Sequence, residues 1–287
     1  MLSNNHTTLY LKCKDYLVSG EVFDLLYDAE LDMLLTHPKP SKEELGKYYE
    51  SEDYISHTDS KRTFLDKIYQ YVKGINLSGK VRLINTSTMA AGNLLDIGCG
   101  TGDFLAFANK RGWSAIGTEP NEKARNIAKK KGLEIIEDTK NLASGQFDVI
   151  TMWHVLEHVP DLEDYMSELY RLLSEEGVLV IAVPNFKSFD AKYYKQFWAA
   201  YDVPRHLWHF SKNSIITLFG KNNFNLLKIK PLLFDSFYIA LLSERHKTAK
   251  MNYVKAFFVG FYSNLKAVIT KEYSSQIYIL QKGTKMN

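Results

Sequence analysis

The segment from residue 93 to residue 102 constrains the fold of this chain more than any other part of the sequence. A short apolar stretch is followed by three glycines at alternate positions, Gly98, Gly100 and Gly102. Glycine has no Cβ, so the backbone can turn tightly there and approach a ligand closely. The pattern predicts a buried strand, a glycine-rich turn and a helix that begins near Asp103. This layout is typical of a nucleotide-type binding loop at the edge of a parallel sheet.

From this segment onward, strand and helix patterns alternate regularly. Strands are predicted at 94–97, 114–118, 133–136, 147–152 and 178–183, and helices at 103–111, 122–131 and from Pro160 onward. After a dense aromatic and histidine segment at 186–212, the pattern predicts a helix at 214–221 and strands at 225–230 and 276–281 that can pair antiparallel. The predicted fold class is α/β, a doubly wound sheet with an antiparallel last strand and a helical insertion at about 235–272.

Composition and charge favour an ordinary globular protein. The 287 residues are 45% hydrophobic and include 36 basic and 33 acidic side chains, a balance that does not indicate nucleic acid as a partner. Two cysteines, Cys13 and Cys99, are too few for a disulfide framework, so a reducing cytoplasm is expected. The amino terminus is polar and no apolar run approaches about 18 residues, so neither secretion nor a membrane span is predicted.

The first 57 residues differ from the rest and are predicted to be a hairpin and helical appendage. Loose alternation over 22–35 predicts a small hairpin, which Pro38 and Pro40 end. Ser41 begins a capping box for a short helix that reaches about residue 49. Residues 58–92 are predicted to be linking helices, with helical spacing over 58–73, and residues 93–287 are predicted to be the main domain.

The glycine loop itself indicates what it binds. A dinucleotide fingerprint needs a third small residue where this sequence has Asp103. A carboxylate there competes for the helix amino terminus that holds a pyrophosphate, which argues against NAD. A cationic ligand without phosphate suits the loop better, and S-adenosylmethionine is such a ligand. Glu119 follows the second strand, where it can accept from both ribose hydroxyls, and Asp138 follows the third, where it can accept from the adenine amino group.

Four motifs that occur in order connect the chain to a family. They are Asp96-Ile97-Gly98-Cys99-Gly100-Thr101-Gly102, Gly117-Thr118-Glu119-Pro120, Phe147-Asp148-Val149-Ile150 and His154-Val155-Leu156-Glu157-His158-Val159-Pro160-Asp161. Together they resemble the class I S-adenosylmethionine-dependent methyltransferases over about residues 93–230. The most similar branch includes the ubiquinone-biosynthesis O-methyltransferases. The resemblance implies a Rossmann-like sheet that binds S-adenosyl-L-methionine.

The resemblance also implies roles for individual residues. The methionine part of the cofactor is assigned to Asp96, Gly98, Cys99, Gly100 and Gly102, the ribose to Glu119 and Pro120, and the adenine edge to Asp138. Trp153, beside the fourth strand, is expected to contact the cofactor as well. Residues 49–57 resemble a segment that folds over the cofactor in such enzymes. Tyr49 and Tyr54 are therefore candidate cofactor contacts, although packing explains them equally well.

His154, Glu157 and His158 are the first candidates for catalysis. Methyl transfer from a sulfonium requires the acceptor to be aligned, water to be excluded and, for a hydroxyl acceptor, a proton to be removed. The three residues follow the fourth strand, at the edge of the sheet where acceptors are expected. In a helical turn they would share a face, because they are three and four residues apart. His154 and His158 are candidate bases.

Other interpretations of these three residues stay open. His-x-x-Glu-His is formally the inverted zinc-protease motif, but no third ligand is evident. In some ubiquinone-pathway relatives an acidic version of the motif binds a divalent cation that orients the acceptor oxygens. His154 stands in the first position here, so a divalent metal is not favoured. In the plainest interpretation, Glu157 and His158 close the loop by hydrogen bonds and only His154 contacts a ligand.

Residues 198–211 form the second candidate region. Asp202-Val203-Pro204-Arg205-His206-Leu207, followed by His209-Phe210, resembles a segment of a group of bacterial methyltransferases. The segment is expected to cover the acceptor pocket. Arg205 would bind an anionic group of the substrate, His206 would act as a base, and Trp198 and Tyr201 would contact the substrate. Alternatively, Arg205 ties Asp202 or a loop carbonyl, and the aromatic residues belong to the core.

The amino-terminal hairpin resembles the zinc-ribbon-like hairpin with which many of these bacterial relatives begin. Tyr27 and Glu30 stand where such relatives have a Cys-x-x-Cys pair, and only Cys13 lies nearby. A tetrahedral sulfur site needs more cysteines than this, so a hairpin without a metal is predicted.

An apolar stripe within residues 250–268 is flanked by Lys250, Lys255 and Lys266. It could contact a membrane surface or a greasy acceptor, or serve as a lid or dimer contact, which is the interpretation that we favour. The chain is accordingly expected to be a monomer or a homodimer.

The sequence therefore predicts an S-adenosylmethionine-dependent methyltransferase that acts on a small-molecule acceptor, with oxygen as the acceptor atom. One alternative is an NAD-dependent oxidoreductase, which Asp103 disfavours. The other is a non-catalytic cofactor-binding or membrane-associated module.

Overall fold

The computed structural model describes residues 7–49 and 64–283, which form two β-sheets with packed helices. The strands are β1 (Thr7–Lys14), β2 (Val22–Asp28), β3 (Met33–His37), β4 (Asn93–Ile97), β5 (Ser114–Thr118), β6 (Glu134–Ile136), β7 (Phe147–Trp153), β8 (Leu173–Pro184), β9 (Trp208–His209), β10 (Phe224–Pro231) and β11 (Ser275–Lys282). The α-helices are α1 (Lys42–Leu45), α2 (Phe64–Asn85), α3 (Asp103–Asn109), α4 (Glu122–Lys130), α5 (Leu162–Leu172), α6 (Phe189–Tyr194), α7 (Lys212–Lys221), α8 (Asp235–Thr248) and α9 (Tyr253–Thr270).

Seven strands form the main sheet in the order β10-β11-β8-β7-β4-β5-β6. β11 runs antiparallel to both of its neighbours, whereas β8, β7, β4, β5 and β6 pair in parallel. The predicted doubly wound α/β class with an antiparallel last strand is confirmed. The strand order reverses between β4 and β7, and ligands of such sheets bind outside the carboxyl ends of the strands at this point.

The burial of the main sheet follows from its apolar strands. Successive side chains of a strand face opposite sides of the sheet. Leu94 accordingly belongs to the core on one face and Leu95 to the core on the other, and both are fully buried. The apolar run 178–183 in β8 is buried on both faces, as is typical of a central parallel strand. The helices α4, α5 and α7 begin at side-chain caps; Asn121 at the start of α4, for example, accepts a hydrogen bond from the Ala124 N–H.

The smaller sheet has the strand order β1-β2-β3-β9 and is antiparallel throughout. The pair β2–β3 is the predicted hairpin. Neither β1 nor β9 is predicted from the sequence. β9 comes from the 198–211 region, and it pairs Trp208 with Leu35 and His209 with Leu34. This short strand therefore joins the amino-terminal sheet to the main domain.

The helices differ from the prediction mainly in their bounds. α2 runs to Asn85, beyond the predicted end at residue 73, and residues 58–63 of that prediction lie outside the described residues. The predicted insertion consists of α8 and α9. The division of the chain at residues 57 and 92 stays a prediction. Within residues 7–49 and 64–283, no helix is both long enough and apolar enough to cross a membrane.

Candidate functional site

The glycine loop lies between the end of β4 and the start of α3. Gly98 and Gly100 have φ angles of 67° and 55°, in the left-handed region that favours glycine. A Cβ on Gly98 would lie 2.5 Å from a Val155 methyl group, whereas a Cβ on Gly100 would meet nothing within 4 Å. The Cys99 N–H donates to the Thr118 carbonyl at 2.9 Å, which fixes the loop against β5. The loop is therefore packed at Gly98 and open to a ligand at Gly100.

Two buried carboxylates flank this loop. Asp96 is 2% exposed and accepts a hydrogen bond from the Thr151 hydroxyl at 2.6 Å. Burial raises the pKa of Asp96 to about 7, although the Thr151 hydrogen bond acts in the opposite direction. The two carboxylate oxygens of Glu119 accept from the backbone N–H groups of Gly100 at 2.9 Å and Asn121 at 2.8 Å. Each of these oxygens keeps a second lone pair for a ligand hydroxyl.

Two further acidic residues lie at the margin of the same region. Asp103 forms ion pairs with Lys73 and Lys131, each at 2.8 Å. These lysines neutralise its charge within the chain. A pyrophosphate is therefore disfavoured by the missing third glycine rather than by a free carboxylate. Asp138 follows β6 with a half-exposed side chain and accepts from the Lys140 N–H at 3.0 Å. Its carboxylate remains accessible to a ligand.

Trp153 ends β7, and its indole N–H is buried without a hydrogen-bond partner among the described residues. The ammonium of Lys80 lies 4.2 Å from the centroid of the indole ring, a cation–π contact that holds the lysine close to the carboxyl ends of the strands. Burial lowers the pKa of Lys80, whereas the Asp96 carboxylate raises it. Lys80 is not predicted as a site residue from the sequence, because α2 carries none of the four motifs. Pro120 follows β5 and is exposed.

His154 follows β7 with a φ of 59°, and its ring lies between two carboxylates. Nε2 is 2.9 Å from Oδ2 of Asp235, and Nδ1 is 3.5 Å from Oε1 of Glu157. Burial acts to lower the pKa of His154, but the carboxylates of Asp235 and Glu157 raise it to about 10. The ring is therefore an imidazolium at neutral pH. Asp235 is the first residue of α8, and it is not predicted as a site residue because no motif marks the insertion.

Glu157, His158 and His206 lie together; we call them the Glu157 cluster. One candidate ligand atom from each lies within 4.8 Å of the other two. The Glu157 carboxylate is 1% exposed, and neither oxygen accepts a hydrogen bond from the described residues. Burial acts to raise the pKa of Glu157, but the neighbouring histidines, His154 first, lower it to about 2. The carboxylate is therefore charged, and Nε2 of His206 approaches it at 4.0 Å.

Backbone carbonyls determine the tautomers of the two histidines in this cluster. Nδ1 of His158 is 3.0 Å from the Arg205 carbonyl oxygen, and Nδ1 of His206 is 2.9 Å from that of Ala200. A carbonyl only accepts, so both Nδ1 atoms carry hydrogen, and Nε2 of such a ring is an acceptor when the ring is neutral. Burial and the neighbouring His206 lower the pKa of His158 to about 4. The cluster thus combines a carboxylate with imidazole lone pairs, a set that can accept a proton or bind a divalent cation.

Arg205 is 1% exposed, and its guanidinium is surrounded by acceptors. It donates to Asp15 at 2.9 Å, to Asp202 at 2.7 Å and to the Tyr48 carbonyl at 3.0 Å. These contacts agree with the alternative in which Arg205 ties neighbouring loops. Binding of a substrate anion by Arg205 stays a prediction.

The predicted aromatic contacts lie in different surroundings. The Tyr49 hydroxyl is 3.0 Å from Nδ1 of His158, so Tyr49 reaches the Glu157 cluster. Tyr54 lies outside the described residues. Trp198 and Tyr201 are each 2% exposed and pack edge to face, with ring centroids 4.9 Å apart, in the core next to the smaller sheet. Their contact with a substrate stays a prediction.

Tyr27 lies in β2, and Glu30 lies in the turn between β2 and β3 of the amino-terminal hairpin. The Tyr27 hydroxyl donates to Asp32 at 2.8 Å, and Glu30 pairs with Lys221 of α7 at 3.2 Å. Cys13 is buried in the core between the smaller sheet and the main domain, and burial raises its pKa to about 12. These side chains therefore join the hairpin to its surroundings.

The chain is similar in sequence to known methyltransferases. The profile of a family described as "Methyltransferase domain" matches residues 53–229. A ubiquinone biosynthesis O-methyltransferase from Pelagibacter ubique is 31% identical over 162 residues, which cover 50% of this chain and 65% of that protein. The chain thus spans less than two thirds of the length of this relative.

Solved structures share the fold. A S-adenosylmethionine-dependent methyltransferase from Thermotoga maritima, described as a possible histamine N-methyltransferase, is 20% identical with a TM-score of 0.51, and the match covers 75% of this chain and 96% of that one. Magnesium protoporphyrin IX methyltransferase from Synechocystis, with bound SAH, is 15% identical with a TM-score of 0.52, and the match covers 79% and 91%. At these identities the likeness shows the fold alone.

Proposed function

This chain belongs to the class I S-adenosylmethionine-dependent methyltransferases, and on that premise we propose that it transfers a methyl group to an oxygen atom of a small-molecule acceptor. When bound, S-adenosylmethionine supplies a methyl group on a sulfonium, which an oxygen atom can attack directly. The residues of the chain then have three tasks, which are to bind the cofactor, to orient the acceptor and to take up a proton.

The carboxyl ends of β4, β5 and β6 supply the residues that we assign to the cofactor. The open backbone at Gly100 admits a ligand, and the buried Asp96 places a carboxyl group beside it. We assign the free lone pairs of Glu119 to the ribose hydroxyls and the accessible Asp138 to the adenine edge. The indole N–H of Trp153 has no hydrogen-bond partner in the described part of the chain, which supports the assignment of Trp153 to the same cleft.

The proposal that oxygen is the acceptor atom rests on the Glu157 cluster. A hydroxyl acceptor loses its proton as its oxygen is methylated, and the cluster can take up that proton. The charged Glu157 acts to raise the pKa of His158 against the effects of burial and His206, so we assign proton uptake to the cluster. His154 is already protonated beside Asp235, so we assign it to holding α8 rather than to removing a proton.

The relative from Pelagibacter ubique supports an oxygen acceptor, because its name describes O-methylation. The proposal for this chain is limited to a hydroxylated small molecule. The half-buried His158 and its Tyr49 contact are the part of the Glu157 cluster that we expect such a molecule to approach.

Substitution of Glu157 tests the proposal. A panel of hydroxylated and amine acceptors is assayed for release of S-adenosylhomocysteine, and cofactor affinity is measured by titration calorimetry. With a hydroxylated acceptor, Glu157→Gln should lower kcat by about 10²-fold and leave cofactor affinity unchanged, because a general base contributes roughly that factor. The matched control Glu163→Gln alters an exposed carboxylate of α5 and should retain full activity.

The results of these assays distinguish the proposed function from its alternatives. Methylation of amines but not of hydroxyls contradicts the oxygen acceptor, and an unchanged kcat in Glu157→Gln removes the cluster from proton transfer. Activity that is lost in EDTA and restored by Mg²⁺ would show that the cluster holds a cation instead. Binding of NAD without S-adenosylmethionine would favour the oxidoreductase. Cofactor affinity without turnover on any acceptor would favour the non-catalytic module.

A further inference from the structure

Helix α9 turns its large apolar side chains outward. A surface helix of a globular protein ordinarily directs its apolar face toward the core. In α9 the buried positions are mostly small, Ala256, Gly260, Ser263 and Ala267 among them. Its large apolar side chains Val254, Phe257, Phe258, Phe261, Leu265 and Val268 are each more than half exposed. We call these six residues the α9 face.

The small residues hold α9 firmly in this orientation. A Cβ on Gly260 would lie 3.0 Å from Cα of Phe237, so glycine allows the backbones of α8 and α9 to pack closely. The Ser263 hydroxyl donates to the fully buried Asp190 at 2.7 Å. Rotation of the helix would break this hydrogen bond and separate Gly260 from the α8 backbone that it closely approaches. The exposure of the α9 face is therefore a consequence of how the helix packs.

The charges around the α9 face are positive. The sequence of α9 contains no aspartate or glutamate, and Lys250, Lys266 and Lys271 are exposed at its sides and ends. Every acidic side chain of residues 235–272 contacts another part of the chain: Asp235 binds His154, Glu244 binds Lys255 and Glu272 accepts from Asn185. The face therefore offers apolar surface with a basic border and no exposed carboxylate.

We propose that the α9 face docks on a lipid bilayer surface that contains anionic headgroups. Apolar side chains of a surface-lying helix enter the boundary between headgroups and acyl chains, while flanking lysines contact anionic lipids. Tyr253 and Tyr262, also exposed, carry hydroxyl groups suited to the same boundary. The helix is about 27 Å long, so it can lie flat on such a surface.

The same observations disfavour two alternatives for the α9 face, namely contact with a second copy of the chain and a role as a lid over the site. A second copy of the α9 face would bring lysines together without a carboxylate from either helix to pair with them. A lid would need its apolar side turned inward over the site, but α9 turns that side outward. The bilayer is the occupant whose chemistry complements both the apolar surface and the positive border. This inference does not depend on the acceptor atom proposed above.

Vesicle flotation with the whole chain tests the docking. One set of vesicles contains phosphatidylcholine alone, and the other also contains about 30% phosphatidylglycerol. The protein should float with the anionic vesicles, and less so at about 0.5 M salt, because salt screens the lysines. The double variant Phe258→Glu/Phe261→Glu should lower partitioning by about tenfold or more. Replacement of Lys250 and Lys266 by alanine should lower it by about fivefold per lysine.

A matched control uses Leu227 on β10, which is 53% exposed and lies outside the α9 face. Leu227→Glu should float like the unaltered protein, and cofactor affinity should be the same in all variants because the substitutions are exposed. The inference is overturned if the protein floats with neither vesicle, if Leu227→Glu abolishes flotation equally, or if neutral and anionic vesicles bind it alike. It is also overturned if sedimentation shows a dimer that the double variant dissociates without any vesicle binding.

Discussion

We expect Asp96 to couple cofactor binding to the release of a proton. Burial keeps the pKa of this carboxyl near 7, so it is largely protonated at pH 6. A bound cation favours the charged form, and S-adenosylmethionine is a cation at both its sulfonium and its ammonium. Binding should therefore release a proton when the solution pH is below 7. We expect cofactor affinity to fall as the pH decreases below about 7, by up to about tenfold per pH unit.

Titration calorimetry between about pH 5.5 and pH 8 measures this dependence. In buffers of different ionisation enthalpy, the same experiment counts the protons released. Asp96→Asn cannot lose a proton, so its affinity should be lower at pH 8 and nearly independent of pH. An affinity of the unaltered protein that is constant over this range would contradict the assignment of Asp96.

Glu119 should contribute to binding through its remaining lone pairs. Glu119→Ala removes two acceptors for ribose hydroxyls and also releases the Gly100 N–H that Glu119 now holds. We expect the variant to lose about 2 kcal/mol of cofactor binding free energy, or roughly 30-fold in Kd. Glu122→Ala, an exposed residue in the first turn of α4, is the control and should bind normally. Equal affinities of the two variants would remove the ribose assignment.

At the scale of elements, the contact between His154 and Asp235 joins β7 to α8. The pKa of His154 is raised to about 10 in the folded chain, against about 6.5 in an unfolded one. A raised histidine pKa stabilises the folded state fully below about pH 6.5, and this contribution is lost as the pH rises through about 10. The contact therefore persists at neutral pH, with α8 held against the site.

Substitution of Asp235 tests this contact. In Asp235→Asn, we expect the pKa of His154 to fall, because the Asp235 carboxylate 2.9 Å from its ring is gone. The imidazole signal of His154 in an NMR titration should stay that of the protonated ring up to pH 8 in the unaltered protein and should titrate below that pH in the variant. Asp164→Asn, an exposed change in α5, is the control. An identical titration midpoint in all three proteins would refute the contact.

The main strands could be predicted from sequence because each is a short apolar run that ends in a turn. The predicted 94–97 and 114–118 match β4 and β5 to within a residue. β1 lacks this signal, because it alternates weakly and most of its side chains are exposed. β9 has only two residues, and its partners in β3 are more than 170 positions away in the sequence. Such a strand exists only because tertiary structure brings it to an edge.

At the scale of the whole molecule, the residues assigned to the cofactor can be predicted from local sequence, whereas those assigned to the acceptor depend on tertiary structure. The glycine loop and Glu119 are close in sequence, so a local motif reveals them. The Glu157 cluster requires His206, which lies 49 residues from Glu157, and α8 contributes Asp235 from farther still. Asp103 shows that a residue within a local motif can also depend on tertiary structure. The carboxylate is visible in the sequence, but its ion pairs with lysines from α2 and from the end of α4 are not.

Arg205 links the two sheets, and its removal should affect the whole molecule. The guanidinium connects Asp15, next to β1, with Asp202 in the main domain, and Asp15 and Arg205 are each almost fully buried. Arg205→Met leaves buried carboxylates without their cation, so we expect urea unfolding to show a loss of about 3 to 5 kcal/mol. Arg171→Met breaks a pair with Glu168 that is about a third exposed, and it should cost no more than about 1 kcal/mol.

The pH dependence of the same variant provides a second test. Burial acts to raise the pKa of Asp15, but the Arg205 contact and backbone hydrogen bonds lower it to about 2. A lowered carboxyl pKa stabilises the folded state above about pH 4, and this contribution disappears as the pH falls toward 2. Arg205→Met should therefore lose less stability than the unaltered protein over that interval, and adding Asp15→Asn should restore part of its stability at neutral pH. Parallel acid profiles of the two proteins would show that Arg205 does not hold the sheets together through Asp15.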